Sequence, residues 1–315
     1  MLNLTEFYYL NSTTITFSFS DYKRDNFISF YQTLKKNSKI IEVVATKNSM
    51  TLFLKEAIEH GEILDIINES INSNKKNDNK SKTIHLPICF DDSFQDDILK
   101  LYDGDLKLTR KFKETFLKNK FTLEYYGFLP GFGYFSGLES KLHLPRKKIP
   151  SRKIGKGTVA IGGEYVGIYP QDSPGGWNCI GNCPIPLVDF GSNLKININV
   201  FDQVIFEEIE FENYKKIKLD YELDVYDFKI LWMIEVISSG YFTSIQDSGR
   251  KAYRHLGVPI SGPMDLNSFY LANLLLPGLD SDSVFECTLI GPKLKLRCNS
   301  RFVITGAKFG SYLDN

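Results

Sequence analysis

The spacing of apolar residues changes several times along the chain, and each change marks an element. From Thr13 to Phe19, β-branched and aromatic residues alternate with polar ones, the period of a half-buried strand. Between Tyr22 and Lys36 the apolar positions Phe27, Ile28, Tyr31 and Leu34 follow helical spacing. Ile40–Ala45 and Met50–Leu54 return to strand patterning, and Glu56–Ile71 is again an amphipathic helix. The order β, α, β, β, α predicts a ferredoxin-like α+β domain over residues 1–80. Asn72–Lys82 holds asparagine, lysine and serine and no apolar residue, so it is expected to be an exposed linker.

A second unit, residues 81–230, begins with a strand at Ile84–Phe90 and helical spacing over Phe94–Leu101 and Leu108–Leu117. Phe121–Phe128 reads as a strand that runs into a Pro-Gly-Phe-Gly turn. Short apolar runs broken by glycine and proline follow, the signature of a closed or nearly closed β-barrel. Ile198–Ile209 and Ile217–Ile230 close this unit and carry the chain into residues 231–315.

Composition narrows the class. A chain of 315 residues has room for about two domains and for part of a third. With 43% hydrophobic and 14% aromatic residues it can build buried cores. Lysine plus arginine, at 38, equal aspartate plus glutamate, which removes any general electrostatic pull toward nucleic acid or anionic membrane. A local basic run remains at Arg146-Lys147-Lys148 and Arg152-Lys153; it is either a solvated loop face or a holder for phosphate. Met1–Ser20 has no basic stretch followed by an apolar core, and no apolar run reaches about 18 residues, so a cytoplasmic protein is expected. Cys89, Cys179, Cys183, Cys287 and Cys298 lack the spacing of a zinc site and read as reduced packing residues, and the four histidines are scattered without ligand spacing.

Two glycine-marked blocks carry the candidate chemistry. Residues 162–189 contain Ser173-Pro174-Gly175-Gly176-Trp177, and two adjacent glycines cost roughly 0.5 to 1 kcal/mol each in a regular element relative to alanine. That turn either seats one large core tryptophan or bares its backbone for a ligand. Residues 240–265 form the second block. Gly155-Lys156-Gly157-Thr158 lacks the spacing of a phosphate loop, and no Gly-x-Ser-x-Gly nucleophile elbow occurs.

Gly127-Phe128-Leu129-Pro130-Gly131-Phe132, Gly167-Ile168-Tyr169-Pro170 and Ser173–Trp177 together resemble the B subunit of the ATP-dependent 5-oxoprolinase, a family also labelled allophanate hydrolase subunit 1 or Kip-type kinase inhibitor. From Met233 onward the chain resembles the opening of the C subunit, or allophanate hydrolase subunit 2. The matching residues are Thr243, Gln246-Asp247, Gly249-Arg250, His255 to Pro259, Ser261-Gly262, Met264-Asp265, Ala272-Asn273-Leu274 and Thr305-Gly306-Ala307. The chain thus resembles two genes joined at Met233. The C-type part is far shorter than its family, so the remainder is expected from a second chain, or the gene is a fragment.

The resemblance implies a cyclophilin-like barrel followed by part of another, and a reaction that opens 5-oxoproline to glutamate with ATP and magnesium. Activating a lactam by phosphorylating its oxygen calls for backbone amides and cations around phosphoryl oxygens, and for a carboxylate that positions a metal ion or water. Gly175 and Gly176 supply amides, Lys156 and Arg250 positive charge, and Asp172, Asp247 or Asp265 the carboxylate, while His255 is a candidate acid or base. Gly131, Tyr169, Ser173, Trp177 and Gln246 complete the expected binding set. The competing reading of the aspartates is turn capping, and of His255 a hydrogen-bonded barrel residue. The 5-oxoprolinase A subunit, with the remainder of the C subunit, is the implied partner. Two departures stand out: Phe116 where many B-type sequences have histidine, and Tyr165-Val166 where a Gln-Thr pair is common. Rival readings are the carboxyltransferase part of a urea carboxylase, served by biotin on a partner, and an inhibitor of a sensor histidine kinase.

Overall fold

The computed structural model describes residues 3–20, 22–72, 81–190, 194–222, 234–276, 282–308 and 310–312. The linker core at 73–80, the stretch 223–230 and the Met233 junction lie outside the described residues. The chain is mixed α+β and divides into two compact units, Met1–Val225 with Ala252–Val258, and Tyr226–Lys251 with Pro259–Asn315.

The first unit opens with strands β1 (Asn3–Asn11) and β2 (Thr14–Ser20), helix α1 (Arg24–Lys35), strands β3 (Ile40–Ala45) and β4 (Ser49–Leu54), and helix α2 (His60–Asn72). The sheet order is β1-β2-β4-β3, with antiparallel pairs throughout. Strand β1 was not legible in the pattern, because Tyr8, Tyr9 and Leu10 lie exposed in succession on an edge strand and break the alternation. The inward face of β2 (Ile15, Phe17, Phe19) meets Phe27, Phe30, Tyr31 and Leu34 of α1 at helical spacing. Fully burying each such aromatic contributes about 1.5 to 3 kcal/mol.

Next come β5 (Thr83–Ile88), a short helix α3 (Asp96–Leu101) behind a 3-10 turn at Asp92–Phe94, and helix α4 (Leu106–Leu117), capped by the Asp105 carboxylate on the amides of Lys107 and Leu108. Strands β6 (Phe121–Tyr126), β7 (Gly133–Ser136), β8 (Ser151–Ile154), β9 (Thr158–Gly162), β10 (Tyr165–Ile168), β11 (Ser173–Gly175) and β12 (Asn178–Asn182) follow. Two short strands, β13 (Val188–Asp189) and β14 (Lys195–Ile196), then β15 (Gln203–Glu208) and helix α5 (Phe211–Glu222), end this run. Seven strands form one curled sheet in the order β12-β9-β10-β7-β6-β15-β5. Its two edges meet: the Cys89 and Asn182 amides each donate to the other's carbonyl, at 2.8 and 2.9 Å. Gly181 permits that approach, since a Cβ there would sit 2.9 Å from the Cys89 carbonyl oxygen. A sheet closed on itself leaves few unpaired edges.

One face of this sheet, with Leu123, Phe135, Val159, Ile161, Val166 and Ile168, encloses the main core. The N-terminal layer is tied to it by Phe201, whose ring packs edge-on against Phe27 and Tyr31, and by a bidentate pair from Arg24 to the buried Glu124 at 2.8 and 2.9 Å. Phe116, the departure from the family's histidine, is fully buried among Phe90, Phe121 and Phe206. It is a packing residue.

The second unit contains β16 (Ile234–Ser238), β17 (Phe242–Gln246), helix α6 (Leu266–Leu275), β18 (Val284–Thr288) and β19 (Lys293–Leu296). Two separate antiparallel pairs form, β16 with β19 and β17 with β18. Among its described residues Phe269 is buried, while Tyr241, Ile245, Met264 and Leu274 are at least 70% exposed. No helix among the described residues is long and apolar enough to cross a membrane.

Candidate functional site

On the face of the curled sheet opposite the main core, Phe132, Ile154, Ala160, Tyr169 and Trp177 form a separate cluster, flanked by Leu129, Tyr134 and Tyr165. Glycine makes room for it. A Cβ at Gly162 would lie 2.3 Å from the Trp177 indole, and one at Gly167 would lie 2.6 Å from the Phe132 ring and 2.8 Å from the indole. The indole therefore lies flat against two bare backbone positions on neighbouring strands. Phe132 and Tyr134 meet it edge-on at 5.5 and 5.4 Å, within the range where aromatic pairs attract. The Arg146 guanidinium sits 5.8 Å from its centre.

The Ser173–Trp177 turn has two different glycines. Gly175 is required by packing, since a Cβ there would collide with the Tyr169 hydroxyl at 2.3 Å. Gly176 has nothing closer than 3.8 Å to such an atom, and its carbonyl accepts the Lys147 amide at 2.7 Å. Packing against Tyr169 and Ile154 thus accounts for Gly175, the tryptophan is seated by Gly162 and Gly167 instead, and Gly176 stays open to an approaching group. Ser173 Oγ is buried without a hydrogen-bond partner. Burial pushes the Tyr169 phenol up to about 12.

Beside this cluster the Gly127–Phe132 turn is strained. The Leu129 amide donates to the Gly127 carbonyl at 2.8 Å, which closes a three-residue turn with Phe128 at its apex and φ of 65°. A γ-turn of positive φ is rare, and a phenylalanine there costs of order 1 to 3 kcal/mol. The Phe128 ring is 60% exposed and stands edge-on to Phe132 and Tyr169. Gly131, at φ of 80°, donates its amide to the Leu256 carbonyl at 2.8 Å.

The basic run folds as a strap along the Ser173–Trp177 turn, where β8 pairs with β11. Lys147 pairs with Asp97 at 2.6 Å and reaches Ser151 Oγ at 2.9 Å, and the Cys179 amide donates to the same Asp97 oxygen at 2.8 Å. Burial alone would raise the Asp97 carboxyl, but Lys147 and the amide hold it below the usual range. Burial pushes the Cys179 thiol up to about 12, so it stays protonated. Lys148, Arg152 and Lys156 lie exposed along the strap.

The predicted aspartates all cap backbone. Asp172 accepts the Lys156 amide at 2.9 Å and pairs with Lys153 at 2.7 Å, contacts that hold its carboxyl below the usual range. Asp247 accepts the Gly249 amide at 2.8 Å, and Asp265 caps α6 through the Ser268 amide and hydroxyl at 3.0 and 2.6 Å. Gln246 donates to Ser244 Oγ at 2.9 Å, and Arg250 is exposed, its amide bonded to the Ile260 carbonyl at 2.7 Å. Gly131, Lys156, Tyr169, Asp172, Ser173, Gly175, Gly176, Trp177 and His255 fall in the first unit; Gln246, Asp247, Arg250 and Asp265 fall in the second.

His255 is engaged by a residue the pattern did not single out. Glu42, 5% exposed in β3, accepts the His255 amide at 2.8 Å and meets its Nδ1 at 2.7 Å, while Arg254 approaches its other oxygen at 3.3 Å. Burial would raise the Glu42 carboxyl, but the bonds from His255 and Arg254 outweigh it and hold it low. The signal was present as one acid inside the apolar run Ile40-Ile41-Glu42-Val43-Val44. Among the described residues no group of three or more His, Cys, Asp or Glu side chains is placed to hold a metal ion.

Residues 6–196 match the family described as carboxyltransferase domain, subdomain C and D, and residues 256–315 the one described as carboxyltransferase domain, subdomain A and B. The chain is 28% identical over 161 residues to the B subunit of 5-oxoprolinase from Haemophilus influenzae, which covers 51% of this chain and 76% of that protein. It is 30% identical over 83 residues to the C subunit of 5-oxoprolinase from Escherichia coli, 26% of this chain and 27% of that protein. With urea amidolyase of Saccharomyces cerevisiae it shares 45% over 82 residues, 26% of this chain and 4% of that protein. The solved structure of TTHA0988 has the same fold, with a TM-score of 0.69 at 21% identity over 90% of this chain and 57% of that one. The chain thus spans a little over half of that structure.

Proposed function

Because the chain belongs to the family of carboxyltransferase domains, subdomains C and D, we propose that it serves as the B-type component, joined to the opening of a C-type component, of a complex that opens 5-oxoproline to glutamate at the expense of ATP. The observation that carries this reading is the convergence of two glycine-marked turns and a basic strap on one aromatic cluster. The exposed Phe128 ring and the cluster behind it offer apolar faces to a small flat lactam. The open backbone at Gly176 offers an approach for its polar edge. Lys148, Arg152 and Lys156 fit the charge of nucleotide phosphates, and magnesium arrives with those phosphates. Asp172, kept ionised by Lys153 and the Lys156 amide, is the carboxylate of this set best fitted to orient a metal ion or water. Asp247, Asp265, Gln246 and Arg250 are proposed to act from the C-type part, and His255 to act through its grip on Glu42.

The finer fold reading belongs to the same proposal. The order β1-β2-β4-β3 supports a ferredoxin-like layer over 1–80 in which β1 takes the place of the usual last strand. Edge closure through Cys89 and Asn182 supports a cyclophilin-like barrel over 81–230, and 231–315 is the start of a second one. The complex is proposed to be cytoplasmic, its partners the 5-oxoprolinase A subunit with the remainder of the C subunit. The likeness to urea amidolyase favours a second reading, carboxyl transfer with a biotin-bearing partner.

The test combines this chain with a 5-oxoprolinase A subunit plus the remainder of the C subunit, then follows phosphate and glutamate with and without the lactam. Both products are expected to appear only with 5-oxoproline, and Phe128→Ala to lower kcat/KM at least about tenfold, equivalent to about 1.4 kcal/mol of lost transition-state binding. A soluble complex without lactam-dependent turnover overturns the reading. Carboxyl transfer from biotin to urea by the same chain would put the second reading in its place.

A further inference from the structure

Ala252–Val258 packs with the first unit, although the residues on both sides of it belong to the second. Tyr253 is exposed, but Arg254 to Val258 are each received. Arg254 and His255 hold the two oxygens of Glu42, and the Arg254 guanidinium lies 4.1 Å from the centre of the Phe53 ring. Leu256 and Val258 are 1% and 5% exposed and join the core of the curled sheet. The Leu256 carbonyl takes the Gly131 amide, and Gly257, at φ of 75°, presses against the Gly127–Leu129 turn, where a Cβ would lie 2.9 Å from the Leu129 carbonyl oxygen. A charged pair, two apolar side chains, a backbone bond and an obligatory glycine all read the same short segment.

We infer that Ala252–Val258 is a docking segment and that β3 together with the Gly127–Phe132 turn is its receptor, a socket that accepts an Arg-His-Leu-Gly-Val stretch from a separate polypeptide as well as from its own chain. The match to subdomains A and B begins at residue 256, inside the segment. Leu256, Gly257 and Val258 fall within that match while Arg254 and His255 precede it, so a chain of that class that carries Arg-His before its Leu-Gly-Val is the partner the socket fits. Buried carboxylates are costly without partners, so an empty Glu42 site favours capture of the arginine and histidine. The aliphatic pair and the glycine then exclude sequences with bulk at the fourth position. Occupancy also braces the strained turn at Phe128, because Gly131 and Gly127 both touch the segment.

A protease site placed between Glu222 and Ile234 of the full chain allows the purified protein to be nicked without assuming that either part folds alone. The two fragments of the nicked wild-type chain are expected to co-elute on dilution, and a synthetic peptide of residues 250–260 to compete with their association. Arg254→Ala with His255→Ala is expected to weaken association at least about tenfold. In the intact chain the same substitutions should speed amide exchange at Gly131 while leaving Ile161 and Val166 unchanged. Glu42→Gln, which preserves shape, gives the same readout should the double variant fail to fold. Fragments that separate in the wild type, or that associate with unchanged affinity in the variants, overturn the inference. The readout is association, so it stands or falls independently of lactam turnover.

Discussion

The two units use similar strand-forming residues with opposite results. In β9 every residue from Thr158 to Gly162 is buried, because β10 and β12 flank it and the curled sheet covers it. In β16, Ile234–Ser238 pairs with a single neighbour and has no buried residue. Alternation and β-branching are enough to make a strand in both places. Burial needs further strands on either side and a layer across one face, which the first unit has and the described part of the second does not. The same hydrophobic residue therefore stabilises one unit and stands free in the other.

The sharpest way to test this contrast is to truncate an aromatic in each unit and measure denaturant unfolding. Trp177→Ala should cost about 3 to 5 kcal/mol, since it empties a space between two bare glycine positions, whereas Tyr241→Ala should stay within about 0.5 kcal/mol. Comparable losses would mean that the second unit is packed in solution. A smaller effect is expected at Glu42: Glu42→Ala should cost about 2 kcal/mol, because it removes charge-assisted bonds whose partners Arg254 and His255 remain partly exposed and can hydrate. The Glu42 carboxyl is held low in the folded chain, so its contribution is fully present above the ordinary value of 4.5 and is lost as pH falls through the lowered one. Stability against pH below 4.5 should be flatter in the variant than in the wild type.

Glycine substitutions should divide the same way with less amplitude. Gly162→Ala, with its Cβ driven into the indole, should cost about 1 to 3 kcal/mol, while Gly291→Ala, which meets nothing within 4 Å, should be neutral or gain about 0.4 to 1 kcal/mol. Thermal melts of both variants check this. The smallest perturbation is chemical labelling. The exposed Cys287 and Cys298 should react promptly with a thiol reagent at neutral pH, and Cys89, Cys179 and Cys183 only after unfolding, because the first and last are buried and burial raises the Cys179 thiol to about 12. Prompt loss of Cys179 would show that the strap across it opens.

Much of the N-terminal layer was legible, since α1 buries Phe27, Tyr31 and Leu34 among the positions its spacing singled out. Strand β1 was not, because an edge strand can expose consecutive tyrosines without penalty. Ile217–Ile230 is helical as far as Glu222, and the remainder of that stretch lies outside the described residues. At the candidate site the Ser173–Trp177 turn announced itself through its glycines, but which glycine serves packing and which stays open depends on Tyr169, a residue from another strand end. Lys147 stood out only as part of a basic run and Cys179 as a packing thiol; their meeting on Asp97 gave no local signal, since the three come from a helix, a loop and a strand.

Local elements, the turns marked by glycine and proline, and the family resemblance of two joined parts could be read from the chain alone, because period, turn chemistry and short motifs are properties of neighbouring residues. Closure of the sheet through Cys89 and Asn182, the seat of Trp177 on Gly162 and Gly167, and the reach of His255 to Glu42 across 213 positions of chain emerge in the folded molecule alone. Contacts of that kind arise from packing between distant segments, and no local period encodes them.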